Sequence, residues 1–467
     1  MAETEKTFDI ELEELAGKVP EYISERRYSD LRKILVDMNP ADIGDLMEEL
    51  PRENLPLVYR ILTKELASEV FVYIDSDTQE LLISTFSDSE LKEVIDDLYV
   101  DDTVDIIEEM PASVVKRILK HADPEMRIEI NKILKYPKDS AGSVMTTEYV
   151  DLKKDLTVED AFLRIRRTAV DKETIYTCYV KDENRRLIGL VTVKDLLLSD
   201  YQEKISEIME TNIIYVNTSD DQEYVAHMFT KYDFTTIPVV DNENRLVGII
   251  TVDDAMDVLQ DETTEDIEKM AAISPTDKPY TKMSAFELWK KRIPWLLLLM
   301  ISATFTGMII SSFEEALASF VVLTSFIPML MDTGGNSGSQ ASVTIIRSIS
   351  LGDIEFKNMP NVIWKEIRVA GLCGITLAAA NFVKLLTVDR LILGNSEITV
   401  SVALVVCLTL ILTVFCAKII GCTLPMIAKR IGFDPAVMAS PFITTIVDAV
   451  SLVVYFRIAT IFLHIGG

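Results

Sequence analysis

Positive charge is scarce in this chain. Its 467 residues include 46 Lys and Arg against 74 Asp and Glu, a formal net charge of −28. That deficit argues against nucleic acid, whose phosphates demand a basic surface. Only three histidines occur, His121, His227 and His464, all scattered, and no His-Glu-x-x-His pair is present, which removes the simplest metalloprotease chemistry. The five cysteines (Cys178, Cys373, Cys407, Cys416, Cys422) lack metal-site spacing. Four of them fall in apolar segments, where they read as small apolar side chains. There is no Gly-x-x-x-x-Gly-Lys-Ser/Thr loop to cradle a nucleotide for hydrolysis. The opening residues 1–14 are acidic and lack the basic region and apolar core of a secretory signal.

Against this acidity, 49% of the residues are apolar. One globular body does not reconcile the two figures; an acidic soluble half joined to a membrane half does. The length suits about three domains, and an acidic surface attracts cations.

Residues 1–137 carry a repeat of 12: Met38, Leu50, Leu62, Ile74, Phe86, Leu98, Met110 and Ala122 recur at that interval. Most are followed by a residue that begins a helix, such as Asn39, Pro51, Thr63, Asp75, Ser87, Pro111 or Asp123. The pattern predicts short helices stacked in a superhelix around one apolar stripe. Its other face, with Asp96-Asp97 and Asp101-Asp102, reads either as a solvated surface or as a divalent-cation surface.

Residues 138–260 are internally duplicated. Ser143-Val144-Met145-Thr146 matches Glu207-Ile208-Met209-Glu210, and Arg186-Leu187-Ile188-Gly189-Leu190-Val191-Thr192 matches Arg245-Leu246-Val247-Gly248-Ile249-Ile250-Thr251. Each copy orders a capped helix, a short apolar strand, an Asn-containing turn, a glycine-bearing strand and a helix. This resembles a tandem pair of CBS domains, which implies a regulatory module that holds an adenine nucleotide such as ATP. Residues 261–293 read as a charged helical connector interrupted by Pro275 and Pro279, either a passive tether or a carrier of motion.

Five apolar segments follow, 294–312, 316–346, 363–386, 398–424 and 437–463, each long enough to span a bilayer. Lys290, Lys291 and Arg292 precede the first; Arg347, Lys357, Lys365 and Arg368 surround the loop from the second to the third; Lys429 and Arg430 follow the fourth. The excess of basic residues in these loops places the N-terminal half in the cytosol and the C-terminus outside.

Asp448 lies in the last segment, about 16 Å deep at 1.5 Å per helical residue. An uncompensated carboxylate there costs about 2.5–3.5 kcal/mol on insertion scales, so it faces water, a cation or a partner charge. The second segment is interrupted in composition by Pro328-Met329-Leu330-Met331-Asp332-Thr333-Gly334-Gly335-Asn336-Ser337-Gly338-Ser339-Gln340. Asn336 sits at a depth comparable to that of Asp448, which reads as the single acid at that level. A symmetric dimer would supply two such acids across its axis. Mg²⁺ dehydrates reluctantly and is held through few carboxylates with its waters retained. Two aspartates would neutralise it, with Asn336, Thr444, Thr445 and backbone carbonyls such as that of Gly335 meeting its water shell. Two plainer readings stand beside this one: Asp448 paired with Lys418 as a structural ion pair, and a glycine run that serves helix packing alone.

Acidic helical repeats, a CBS pair, a connecting helix and five spans together resemble the MgtE family of magnesium channels and transporters. The motifs agree: Ser140-Ala141-Gly142-Ser143-Val144-Met145-Thr146, Thr333-Gly334-Gly335-Asn336, Asp434-Pro435-Ala436, and Pro441-Phe442 ahead of Asp448. The resemblance implies a multidomain, mostly α chain: a helical N domain over 1–137, tandem α+β CBS domains over 138–260, a connecting plug helix over 261–293 and a five-helix transmembrane domain over 294–467. It implies a homodimer in the inner cell membrane, a pore lined by the second and fifth membrane helices, Asp448 as selectivity residue, and no enzymatic activity. It also suggests Mg²⁺-sensing acids at Asp97, Asp101, Asp221, Glu223, Asp233, Asp254, Asp257, Glu262, Glu265, Asp266 and Asp434, and nucleotide contacts at Lys194, Asp195 and Phe234. Closure by cytosolic Mg²⁺ is the expected regulation. The rivals are a channel for Co²⁺, Mn²⁺ or Zn²⁺, and a membrane enzyme regulated by its CBS domains.

Overall fold

The computed structural model describes residues 2–463 apart from 170–171, 277, 279, 315–317, 319 and 439. The chain divides into two compact units, Met1–Leu259 and Gln260–Gly467.

The 12-residue repeat becomes a train of ten-residue helices: Lys64–Tyr73, Ser76–Thr85, Asp88–Asp97, Val100–Glu109, Ala112–His121 and Pro124–Ile133. Two residues join each pair, an apolar one that ends the first helix and one that starts the next. Ile74, Phe86, Leu98, Met110 and Ala122 are all buried in one core. Thr63, Asp75 and Ser87 each accept a hydrogen bond from a backbone N–H of the following helix, and Ser87 forms a full capping box with Glu90. The repeat slips once. A helix expected after Pro51 starts instead at Leu55. Pro56 favours this, because the first helical turn is where proline costs no hydrogen bond.

The duplicated segment forms two three-stranded sheets. Strands β1 (Tyr149–Lys153), β2 (Thr174–Lys181) and β3 (Leu187–Thr192) make one; β4 (Val216–Asn217), β5 (Thr236–Val240) and β6 (Leu246–Thr251) make the other. In both, the first pair is parallel and the second antiparallel. The copies exchange their leading segments: Thr146 bridges to Ile249, and Glu210 bridges to Leu190. Gly248 and Gly189 allow it, since a Cβ on either would strike the Sδ of Met145 or Met209 at 2.6 Å.

A single helix, Val252–Met270, continues from β6 into the second unit. That unit holds five long helices, Ala285–Ser312, Ile327–Ser350, Met359–Lys384, Val400–Arg430 and Ser440–Phe462. Among the described residues, four stretches are long and apolar enough to cross a membrane: Ala285–Ser312, Phe356–Ile392, Val400–Arg430 and Pro435–Phe462. Helix Ile327–Ser350 has the length, but its Asp, Asn, Gln, Ser and Thr residues dilute its hydropathy. Residues 316–317 and 319 of the expected 316–346 span lie outside the described residues; the described remainder holds a 3₁₀ segment, Val321–Phe326, and then the helix Ile327–Ser350.

The glycine run does not break this helix, which is continuous over 24 residues. Its glycines permit close packing instead. A Cβ on Gly421 would collide with the Gly338 carbonyl, one on Gly334 would lie 2.7 Å from Thr413 Cγ2, and one on Gly338 would lie 2.9 Å from Ile443 Cγ2. Small residues are the usual means of bringing membrane helices together. Gly421→Val should therefore cost about 1–3 kcal/mol, as overpacking does. The checking measurement is a fall in melting temperature in detergent, with Gly307→Val, whose site has nothing within 4 Å, expected to melt like wild type.

Candidate ion-conducting and ion-sensing sites

The terminal helix sets Asp448, half-buried, against the glycine-rich helix. A Cβ on Gly335 would touch Thr444 Cγ2 at 2.8 Å and lie 3.8 Å from Asp448 Oδ1, so Gly335, Thr444 and Asp448 share one level. The Thr444 and Thr445 hydroxyls both donate to the Pro441 carbonyl, at 2.9 and 3.0 Å. A hydroxyl that donates in this way can also accept hydrogens from a hydrated ion.

The structure corrects two expectations here. Lys418 does not pair with Asp448; it lies 3.8 Å from Glu366 of helix Met359–Lys384, both side chains deeply buried. Asp448 also has a second acid close to its level. Asp332, one turn before Asn336, accepts a hydrogen bond from Asn336 Nδ2 at 3.1 Å and interacts electrostatically with Asp448. The sequence carries Asp332 in plain view, but only the helical register turns it to the same side as Asn336.

At the end of the connecting helix, Lys269 Nζ meets Asp434 Oδ2 at 2.7 Å and Glu265 Oε1 at 2.6 Å. Burial pulls this ammonium toward neutrality, yet its hydrogen bonds to Asp434 and Glu265 outweigh that and raise its pKa. Glu265 and Asp434, expected as metal ligands, are thus bridged by a lysine that the sequence pattern did not single out. Asp434 also accepts from the Ala436 N–H at 2.8 Å. Asp266 accepts from the Ser350 hydroxyl, and Met270 packs on Ile346 and Ala436. Glu262 lies half-buried one turn earlier.

A second group of acids gathers within the first unit. Asp101 is buried, with its Oδ1 lacking any hydrogen-bond partner. Burial and the charges of Asp254, Asp102, Glu173 and Glu148 push its pKa well up. Desolvation first, and neighbouring acids after it, raise Asp102 to about 6, Asp105 to about 7, Asp254 to about 6 and Glu173 to about 8. Asp257 is raised by burial and by Asp253. Asp105, Asp253 and Glu173 were not expected from the sequence; the Asp45/Asp105 repeat echo was the available signal for the first. Among the described residues no three His, Cys, Asp or Glu side chains converge to cage a bare ion. The arrangement fits a cation bound through its waters, since an orphaned buried carboxylate oxygen among like charges calls for a positive neighbour.

Other expected sensors lie apart from this group. Asp97 pairs with Lys64 at 3.0 Å, Asp221 caps a helix by accepting from the Tyr224 N–H, Glu223 lies 3.6 Å from His227, and Asp233 is an exposed left-handed residue closing helix Gln222–Tyr232. Among the expected nucleotide contacts, Lys194 is exposed. Asp195 is held in a capping box with Thr192, and Phe234 stacks on Tyr232 at 5.4 Å.

A helical acidic module, paired CBS sheets, and a helical bundle with carboxylates on polar helix faces define the class of regulated divalent-cation transporters. Residues 327–458 match the family described as "Divalent cation transporter", 38–139 the "MgtE intracellular N domain", and 141–200 and 205–261 the "CBS domain". The chain is 36% identical to the magnesium transporter MgtE of Thermus thermophilus, over 97% of this chain and 99% of the relative. It is 31% identical to that of Bacillus subtilis, over 97% and 98%. The chain belongs to the MgtE family. A crystal structure of the cytosolic domain of the Mg²⁺ channel MgtE in complex with ATP superposes with a TM-score of 0.50 at 38% identity, covering 52% of this chain and 99% of that one.

Two outcomes are expected from this geometry. Lys418→Met leaves Glu366 buried without its partner and should cost about 3–5 kcal/mol; the double change Lys418→Met with Glu366→Leu should restore the detergent melting temperature. The acidic group makes stability fall as pH rises. Its raised carboxylates retain protons in the fold that the unfolded chain releases near pH 4, so the stabilisation is full below about pH 4 and is lost as pH climbs from there to the folded values of about 6 to 8. A carboxyl that holds its proton to a tenfold lower proton concentration in the fold contributes about 1.4 kcal/mol to this loss. A soluble fragment ending at Met270 should melt at lower temperature at pH 8 than at pH 5.5, by roughly 2–4 °C per kcal/mol, and Mg²⁺ should recover the loss at pH 8.

Proposed function

We propose that the chain is a Mg²⁺ channel that admits the ion down its electrochemical gradient and closes when cytosolic Mg²⁺ is abundant. The observation that carries this is Asp448. It sits half-buried at the level of Gly335 in a membrane-length helix, while the nearby buried lysine is engaged by Glu366 instead. A carboxylate so placed calls for a mobile cation.

The working pore is a homodimer, in which two copies of Asp448 face each other and together neutralise one Mg²⁺. Helix Ile327–Ser350 is the fifth span, its polar side turned to the pore. Asn336, Thr444, Thr445 and the Gly335 backbone contact the ion's water shell, which leaves the ion loosely held and able to leave. Helix Ser440–Phe462 contains no His or Cys, and an all-oxygen site suits a hard ion over Zn²⁺ or Co²⁺. The membrane potential supplies about 2.3 kcal/mol per charge per 100 mV, which drives entry without hydrolysis. The domains ahead of the spans lie in the cytosol and the C-terminus outside the inner membrane.

Closure joins the two acidic regions through one helix. Asp254 lies in the first turn of Val252–Met270 and Lys269 in its last. Without Mg²⁺, the clustered acids Asp101, Asp102, Asp105 and Asp254 repel one another when ionised. Hydrated Mg²⁺ among them relieves the repulsion and holds the helix so that Lys269 keeps Asp434 at the pore mouth. The ion shifts the equilibrium because the closed form alone offers these bridging positions. Asp97, Asp221, Glu223, Asp233, Asp257, Glu262, Glu265 and Asp266 serve as weaker additional sites. Lys194, Asp195 and Phe234 take an adenine nucleotide, which the ATP complex of the related cytosolic domain supports.

Purified protein in liposomes tests the reading. Mg²⁺ uptake should fall as Mg²⁺ on the cytosolic side rises through the millimolar range, and Asp448→Asn should abolish uptake. Flux indifferent to Asp448→Asn would remove the basis for this function.

A further inference from the structure

Helix Ile327–Ser350 keeps one face that its own unit leaves uncovered. Asp332, Asn336, Gln340 and Thr344 are exposed and recur every fourth residue, so they align along one side. The other sides are closed, with Gly334, Gly338, Ala341 and Ile345 buried. Lipid does not accept such a row of polar groups; a stripe of this kind faces water or a polar partner. Asp332 is the one of the four that carries charge, and conduction through Asp448 alone leaves it without a role.

Two contacts place it. Asn336 Nδ2 donates to Asp332 Oδ1 at 3.1 Å, joining amide and acid across one turn. Asp332 also lies within electrostatic reach of Asp448. Gly335 marks the height of Asp448. Asp332 is three residues earlier, about 4.5 Å further from the Arg347 end of the helix. Basic Arg347 marks the cytosolic end, so Asp332 stands on the outer side of Asp448. Among the described residues, Asp332 has no Lys or Arg partner in an ion pair.

We propose that Asp332 is a specificity-determining residue of the permeation path, an outer carboxylate that captures hydrated divalent cations and passes them to Asp448. This rests on the pore reading above. The Asn336 amide orients the carboxylate while leaving lone pairs for the waters of an arriving ion. Two like charges this close repel until a cation sits between them. One divalent ion satisfies both, whereas one monovalent ion leaves a charge uncompensated. The pair therefore discriminates by valence ahead of the narrower contact at Asp448.

The test uses full-length protein in liposomes, an internal Mg²⁺-sensitive dye, and varied external Mg²⁺ and ionic strength. Asp332→Asn should raise the external Mg²⁺ giving half-maximal uptake about tenfold, the low end of what a focusing charge contributes to capture. Half-saturation should move more than the plateau and lose most of its ionic-strength dependence. Asp332→Glu, which keeps the charge, should return both toward wild type. Should Asp448→Asn abolish uptake while Asp332→Asn alters neither half-saturation nor salt dependence, the role given to Asp332 is overturned and the pore reading stands. A change that Asp332→Glu fails to reverse also overturns it, because shape and not charge would then be at issue. Uptake unaffected by either Asn substitution defeats the pore reading itself.

Discussion

A carboxylate withdrawn from water needs a positive neighbour, and the way this chain meets or withholds that need organises the molecule. Glu366 is matched by Lys418 inside the bundle, and Glu265 with Asp434 by Lys269. Asp101, Asp102, Asp105 and Asp254 crowd together with no ion pair among the described residues, and Asp332 and Asp448 have none either. The supplied cations fix helices in place. The withheld ones leave acids whose mutual repulsion is relieved either by protonation or by a diffusible cation.

The small residues of the membrane helices serve the same end. Gly338 and Gly421 bring helices Ile327–Ser350 and Val400–Arg430 to backbone contact, and Gly334 fits between Thr413 and Ser451. With its small side spent on packing, the glycine-rich helix presents Asp332, Asn336, Gln340 and Thr344 on the other. Packing and polarity are thus two faces of one sequence pattern.

In the first unit the two sheets are coupled by exchange. Met145 precedes one copy yet packs on Gly248 of the other, and Met209 returns the contact on Gly189. The helix bearing Asp254 issues directly from β6. Asp254 is therefore positioned by a strand that both copies build, while Asp101, Asp102 and Asp105 approach from the helix Val100–Glu109. Acids distant in sequence are pressed together by frameworks that do not themselves bear the charge.

Local periodicity and composition determined much from sequence alone: the 12-residue helical repeat, the duplicated strand pattern, the apolar helices and the isolated acid at Asp448 are all written in short-range spacing. Pro56 against Pro51 shows that even a slip in the repeat follows a local rule. Tertiary structure alone decided which charges meet. Lys418 chose Glu366 over Asp448, Lys269 took the two acids expected to bind metal, Asp105 and Glu173 joined Asp101 and Asp254 while Asp97 went to Lys64, and Asp332 joined Asp448. The reason is physical. Helix and strand periods act over a few residues, whereas a charge responds to every neighbour within several ångströms, and those neighbours are set by how helices far apart in the chain come to lie.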